Sequence, residues 1–363
     1  NKTAAGLSDL GVAPGDRVSI ISENRPEWVV AYYGIITIGA VAVPIDAQLG
    51  EEETEHIITH SGSETIFCST SCFSTVDRII GRLGKIKTII TFDRLAVFSS
   101  SSADISIGKK QDGGGLAARR FMPFGELLNI GAMRLEKGPI SSPHTVDDLA
   151  SLIYTSGTTG TAKGVMLAHK NIMTNIDSIS NTIFIDETDG LLLLLPLHHS
   201  FPFTTCMVWP LTRGATVDFV DIMSRDRTKL IMESRPTLMV GVPLLYSKIL
   251  RGIMRQVESS FIKSALLKYG GKKIIGHALK KKLGGRLRYM ISGAAPMEPP
   301  VIEGFRMLGI EFLEGYGLTE TSPVVAVNRP GNVKIASVGF PLPGVETKIL
   351  DAGNDGIGEI AIK

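Results

Sequence analysis

The ten residues Thr155-Ser156-Gly157-Thr158-Thr159-Gly160-Thr161-Ala162-Lys163-Gly164 crowd hydroxyls, glycines and one lysine together where a folded core has little use for them. Such a stretch suits a phosphate cradle. Glycine lets backbone N–H groups turn toward a polyanion, the hydroxyls add donors, and Lys163 brings a mobile positive charge. A Walker loop needs glycine directly before its lysine and Ser or Thr directly after it, whereas Ala162 and Gly164 flank Lys163. The phosphates can therefore be those of ATP in a protein that is not a P-loop NTPase. A flexible Gly/Ser/Thr linker is the plainer alternative, and the apolar segments on both sides argue against it. Residues 149–154 form a short apolar run with β-branched and aromatic members. From Val165 onward, Met166, Ile172, Met173 and Ile176 have helix-like spacing. A strand is expected to feed the loop and a helix to follow it.

A second constellation, Glu314-Gly315-Tyr316-Gly317-Leu318-Thr319-Glu320, lies directly after an expected strand at 309–313, where ligands collect in open α/β sheets. Tyr316 can stack on a purine, Gly315 and Gly317 permit close backbone approach, and Thr319 can donate to a phosphate oxygen. Glu320 is a hard oxygen ligand for Mg²⁺, which takes one or two carboxylates and completes its octahedron with phosphates and water. Alone, the heptad suits a turn with a surface acid. Together with the cradle it points to a nucleotide site.

These motifs need a scaffold, and the flanking sequence supplies one. Apolar strands at 18–21, 41–44, 65–68 and 88–92 alternate with helices at about 26–39 and 50–62, a βαβ order that implies a parallel sheet covered on both faces. A second series of strands is expected at 190–195, 216–220, 237–240, 287–291 and 309–313. After Thr321 the pattern changes to short alternating strands with Pro/Gly turns, as in a small β-rich unit. The expected class is α/β, with two stacked layered subdomains, 1–185 and 186–322, and the start of a β-rich subdomain at 323–363. Both ends of the chain read as breaks inside a domain. Residues 99–120, rich in serine, glycine and lysine, read as a surface excursion.

Composition excludes several classes. The 363 residues, 44% hydrophobic and 20% charged, can bury a large core, and 38 Lys+Arg against 36 Asp+Glu is too balanced for a nucleic-acid binder. Three cysteines, Cys68, Cys72 and Cys206, are too few for a disulfide scaffold and suit a reducing compartment. No apolar run is long enough to span a bilayer, and no signal peptide is visible. A basic run from Lys263 to Arg288 is interleaved with apolar residues. A solvated helical face is its simplest reading, and a dock for a phosphate-bearing carrier or an anionic membrane surface is the functional one.

With both motifs in view, nearly the whole chain resembles the acyl-adenylate-forming superfamily of acyl-CoA synthetases, luciferase-like enzymes and adenylation domains. The Tyr-Gly-x-Thr-Glu signature is complete at Tyr316 to Glu320, and Pro196-Leu197-His198-His199 matches the Pro-x-x-His segment. Ser292-Gly293-Ala294-Ala295-Pro296 matches the loop beside adenine, while Ala162 stands where the family has proline. Glu23-Asn24-Arg25-Pro26-Glu27-Trp28, Leu283-Gly284-Gly285-Arg286-Leu287-Arg288 and the stretch from Gly315 through Asn328-Arg329-Pro330 look most like long-chain fatty acid–CoA ligases.

The resemblance implies a two-step ligase with ATP, Mg²⁺ and CoA: a fatty carboxylate is activated as acyl-AMP, and a thiol then takes the acyl group. It implies that Thr155, Ser156, Gly157, Thr158, Thr159, Gly160 and Lys163 meet the β- and γ-phosphates and Thr319 the α-phosphate. Glu320 would hold Mg²⁺. Glu314, Gly315, Tyr316, Gly317 and Leu318, with Gly293, Ala294 and Ala295, would meet adenosine. His199, Val240, Gly241 and Val242 would border the acyl chain, with Gly241 leaving room for a long tail. It also implies a ribose-binding aspartate and a mobile C-terminal domain beyond Lys363, so that this stretch alone would adenylate poorly. The expected location is cytoplasmic or peripheral to the inner face of a membrane, with a homodimer as a further candidate. Transfer to an acyl-carrier protein and a non-catalytic nucleotide- or acyl-binding module stay open as alternatives.

Overall fold

Apolar runs flanked by turn residues form the expected strands in the computed structural model, which describes residues 1–94, 119–155, 160–220, 227–258 and 272–363. The described residues fall into two compact units, 1–171 with 196–199, and 172–195 with 200–363.

The first unit is built on a seven-stranded sheet: β1 (Arg17–Ile21), β2 (Val41–Ile45), β3 (Thr65–Cys68), β4 (Thr88–Thr91), β5 (Arg120–Pro123), β6 (Leu149–Thr155) and β7 (Lys163–Ala168). Their order is β5-β4-β3-β1-β2-β6-β7, parallel throughout except for the antiparallel β6–β7 pair. Every residue of β2, β3 and β4 is buried, as expected of near-continuous apolar strands covered on both faces. Helices α1 (Lys2–Asp9), α2 (Pro26–Thr37), α3 (Glu51–Ser61), α4 (Thr70–Ile79) and α5 (Phe124–Glu136) cover them. The sequence explains their ends. Helix α2 starts on a proline with a pre-set φ, and α3 opens with three glutamates that favour the positive end of its dipole. Helix α3 stops at Gly62, whose φ of 69° a side chain would resist.

The second unit carries another seven-stranded sheet, from β8 (Gly190–Leu193), β9 (Thr216–Phe219), β10 (Leu238–Gly241), β11 (Tyr289–Ser292), β12 (Glu311–Gly317), β13 (Val324–Val327) and β14 (Phe340–Pro341). The order is β14-β13-β12-β11-β10-β8-β9. The strands from β9 to β12 pair in parallel, and β13 and β14 are antiparallel additions. A two-stranded ribbon, β15 (Thr347–Leu350) with β16 (Glu359–Ile362), forms a third sheet. Helices Pro243–Glu258, Lys272–Lys282 and Pro299–Met307 supply Tyr246, Ile275, Leu279, Ile302 and Phe305 to a core that includes Met239, Met290 and Phe312 of the sheet.

Three local expectations change. Val165 begins no helix: residues 163–168 pair with β6 as a hairpin, and helix α6 (His169–Ser180) starts after them. Met166 is 68% exposed and Met173 is also exposed, so neither belongs to a buried helical stripe; that stripe in α6 is Ile172, Asn175, Ile176 and Ile179. The strand expected at 309–313 runs on to Gly317, which puts Glu314 to Gly317 within it. Val324–Val327 and Phe340–Pro341 extend the second sheet, because their apolar residues find an open edge at β12. The surface excursion lies mostly outside the described residues, as do Ser156, Gly157, Thr158 and Thr159, Lys263 and Lys268.

Helices α1 and α5 meet where a methyl group at Gly131 would stand 1.8 Å from the carbonyl oxygen of Lys2. Gly131→Ala is expected to force these backbones apart at a cost of about 1–3 kcal/mol in denaturant unfolding. An unchanged midpoint would show that the helices are not held at this spacing.

Candidate functional site

In the first unit, the hairpin sets Thr155 opposite Lys163 and Tyr154 opposite Gly164. The described ends of the cradle, Thr155 and Lys163, therefore stand on opposite arms of an antiparallel hairpin. Gly160 has a φ of 82°, the left-handed conformation that lets a chain turn its amides inward. Lys163 is exposed and makes no ion pair among the described residues, so its charge is available to an anion.

His198 and His199 also belong to this unit. Asn24 Oδ1 accepts the N–H of Leu197 at 2.9 Å, which fixes the segment that carries them. His198 Nε2 lies 3.0 Å from His199 Nε2 and 3.4 Å from Asp46 Oδ2. Burial, the neighbouring His199 charge and, in opposition, Asp46 leave His198 pushed down to about 4. Burial lowers His199 too, against the pull of Asp46. Both rings are neutral at pH 7, and so present an uncharged surface with a polar edge. The sequence marked His199 but not His198 or Asp46; only the adjacent histidines hinted at a pair.

In the second unit, strand register assembles a site. Gly241 pairs with Ser292, and Ser292 with Glu314, so the ends of β10, β11 and β12 stand side by side. This brings together Val240, Gly241, Gly293, Ala294, Ala295 and the Glu314 to Gly317 stretch, at the carboxyl edge where α/β sheets bind ligands. The loop after β11 is tightly seated. Gly293 donates to the Gly241 carbonyl at 3.3 Å, and Ala294 has a φ of 68°. A methyl group at Gly293 would reach 2.8 Å from the Phe201 ring. The space beside Gly241 is already lined by Tyr246 and Leu245, since a methyl group added there would stand 2.9 Å from the Tyr246 ring and 3.0 Å from a Leu245 methyl, which leaves no room at this point for a long tail.

Glu314 is buried. One carboxylate oxygen accepts the Met297 N–H at 3.1 Å, the other has no partner among the described residues, and burial raises its pKa. Its backbone carbonyl accepts the Asn328 N–H at 2.8 Å, tying β12 to the end of β13. Gly317 admits no side chain, because a methyl group there would lie 1.8 Å from the Pro323 carbonyl oxygen. The following turn is closed by Thr321, whose hydroxyl accepts the Leu318 N–H at 3.0 Å. This leaves Tyr316 half-buried, Leu318 and Glu320 exposed, and Thr319 beside Ser200, with the hydroxyls 2.8 Å apart. Ser200 and Thr321 were not singled out from sequence, although each directly borders a motif that was. Val242 is half-buried just beyond β10.

The Glu320 donor set fits magnesium. Its carboxylate makes no ion pair, and no group of three or more His, Cys, Asp or Glu side chains able to hold a metal occurs among the described residues. A lone carboxylate suits an ion that keeps water and phosphate ligands, and does not suit a structural zinc.

The family described as AMP-binding enzyme matches residues 1–363. The chain belongs to that family. Among curated relatives of this AMP-binding enzyme, peroxisomal long chain acyl-CoA synthetase 7 of Arabidopsis thaliana is 31% identical over 369 residues, covering 96% of this chain and 50% of the relative. Human long-chain-fatty-acid–CoA ligase 1 is 27% identical over 385 residues, covering 97% and 53%. The chain thus spans about half the length of the curated relatives it matches. The solved N-terminal domain of FACL13 from Mycobacterium tuberculosis superposes with a TM-score of 0.71 at 25% identity, covering 100% of this chain and 79% of that one. An anthranilate CoA ligase, AuaEII, in complex with anthranoyl-AMP, shares the fold with a TM-score of 0.73 at 21% identity, covering 100% and 62%.

A histidine whose folded pKa lies below its unfolded 6.5 contributes stability above that value and loses it as pH falls through the folded pKa. Stability is therefore expected to drop between pH 6.5 and about 4, and His198→Gln should flatten part of that drop. Matching pH–stability curves for the two proteins would contradict the neutral pair.

Proposed function

We propose that this AMP-binding enzyme is the nucleotide-activating portion of an ATP-dependent long-chain fatty acid–CoA ligase. The observation that carries the reading is the carboxyl edge of β10, β11 and β12, where the Tyr316 to Glu320 signature stands beside the Gly293-Ala294-Ala295 loop. The names of the curated relatives support the substrate class.

In this reading a fatty carboxylate oxygen attacks the α-phosphorus of ATP. The bond to the pyrophosphate oxygen breaks, leaving acyl-AMP and pyrophosphate. The CoA thiolate then attacks the acyl carbon, AMP departs with the shared oxygen, and the thiol proton passes to solvent. The protein supplies no nucleophile, so its work is positioning and charge stabilisation. Lys163 and the cradle amides of Thr155 to Gly160 meet the β- and γ-phosphates, and the Thr319 hydroxyl, oriented by Ser200, donates to the α-phosphate. Tyr316, Gly315 and Gly317 with Ala294 and Ala295 bind adenosine, beside Glu314, Leu318 and Gly293. Glu320 would hold Mg²⁺, which when bound offsets phosphate charge. His199, with Val240, Gly241 and Val242, borders the acyl group as a neutral polar edge. CoA is preferred to an acyl-carrier protein as acceptor because the relatives are named for it.

The test is titration calorimetry with ATP·Mg²⁺, which should report binding by the wild-type chain. Lys163→Ala removes a charge-assisted contact, so affinity should fall roughly tenfold to a hundredfold. Glu320→Ala should abolish the gain that Mg²⁺ gives to ATP binding while sparing binding of ATP alone. Wild-type affinity for both variants in the presence of Mg²⁺ would overturn these assignments.

A further inference from the structure

Helix α3 carries two histidines one turn apart, His56 and His60, and both reach the phosphate hairpin. The helix itself is firmly placed. Thr54, Ile57, Ile58 and Ser61 are buried beneath it, and Glu51 and Glu55 pair with Arg78 and Arg82, each at 2.6 Å. Residues 56 and 60 share a face of the helix, and their rings stack with centroids 5.4 Å apart and planes 26° apart.

His56 Nε2 lies 3.2 Å from the carbonyl oxygen of Ala162. A carbonyl only accepts, so in this contact His56 carries its proton on Nε2 and donates it. His60 Nδ1 lies 2.8 Å from the Tyr154 hydroxyl, and the two rings meet edge to face at 5.8 Å and 84°. The two contacts fall on opposite arms of the hairpin. Tyr154 is on β6, across from Gly164, and Ala162 directly precedes Lys163 at the start of β7. The Tyr154 ring lies against the second arm, where a methyl group at Gly164 would approach it to 3.2 Å.

We propose that His56 and His60 are positioning residues that grip the two arms of the hairpin and set where Lys163 emerges. Neither touches a reacting atom; each acts through the backbone or side chain it holds. The functional consequence rests on the nucleotide-binding reading above: a hairpin held on both arms offers Lys163 to a polyphosphate without first being ordered, so part of the ATP affinity depends on a helix outside the motif.

Amide hydrogen exchange of the unliganded protein tests the grip directly. Loss of one neutral hydrogen bond is expected to speed exchange of the ladder amides that join β6 to β7 about threefold to tenfold in His56→Ala, and similarly in His60→Ala. His56→Gln, which keeps an N–H donor, should restore most of the protection. Tyr154→Phe removes only the hydroxyl and guards against a misfolded alanine variant; combined with His60→Ala it should add little to either change alone. Parallel ATP·Mg²⁺ titrations should show affinity falling in His56→Ala by a similar factor and recovering in His56→Gln. Unchanged exchange in His56→Ala and Tyr154→Phe, or faster exchange with ATP affinity unaltered, would overturn the proposal. Altered exchange in a protein whose wild type does not bind ATP would support the grip and count against the nucleotide reading alone.

Discussion

Parallel pairing of β10, β11 and β12 is the constraint on which the second unit's site depends. Because Gly241, Ser292 and Glu314 stand in register, three segments far apart in sequence end at one edge. A shift of one residue would turn every side chain of a strand to the other face, so the buried residues that fix the register also fix the site. Met239, Met290 and Phe312 lie at matching positions on these strands and pack into one core with Tyr246 and Phe305. The Tyr246 hydroxyl lies 2.7 Å from the Met239 carbonyl and 3.0 Å from that of Ile291, so its single proton is shared between acceptors on β10 and β11 and links the two strands.

Close backbone approach does the rest. Gly293 and Gly317 stand where any side chain would collide with a ring or a carbonyl, and the Thr321 hydroxyl closes the turn that presents Thr319 and Glu320. Thr319 is thus held with its hydroxyl against Ser200, while the Glu320 carboxylate stays exposed. The first unit follows the same logic with different means: a hairpin contacted by α3 leaves Lys163 exposed, and the half-buried His198 and the exposed His199 beside it are both held below the usual histidine range, hence uncharged at pH 7. A free charge at Lys163 and uncharged rings at His198 and His199 thus stand in one unit.

Much of this was legible because apolar strands and glycine-rich turns are local signals. The alternation from Val18 to Cys68 and the strands after Gly190 announced two sheets, and the Tyr316 to Glu320 motif, with the loop at Ser292 to Pro296, pointed to the AMP-binding family. The error at Val165 arose because Met166 and Met173, both exposed, mimic a helical stripe that only burial could discount. The continuation of β12 through Gly317 was hidden by its glycines, which read as a turn until pairing with β13 shows them extended. His56, His60 and Asp46 carry no sequence mark, and Ser200 is marked only by its place next to His199. Their contacts join residues as far apart as Ser200 and Thr319, and only the folded chain brings those together.

The proposed activation of a carboxylate as an acyl-adenylate is tested most directly by isotope exchange between ATP and labelled pyrophosphate in the whole protein. The account predicts label entering ATP only when Mg²⁺ and a long-chain fatty acid are both present, before any thiol is added. Exchange that is absent under those conditions, or that proceeds equally without the acid, would contradict it.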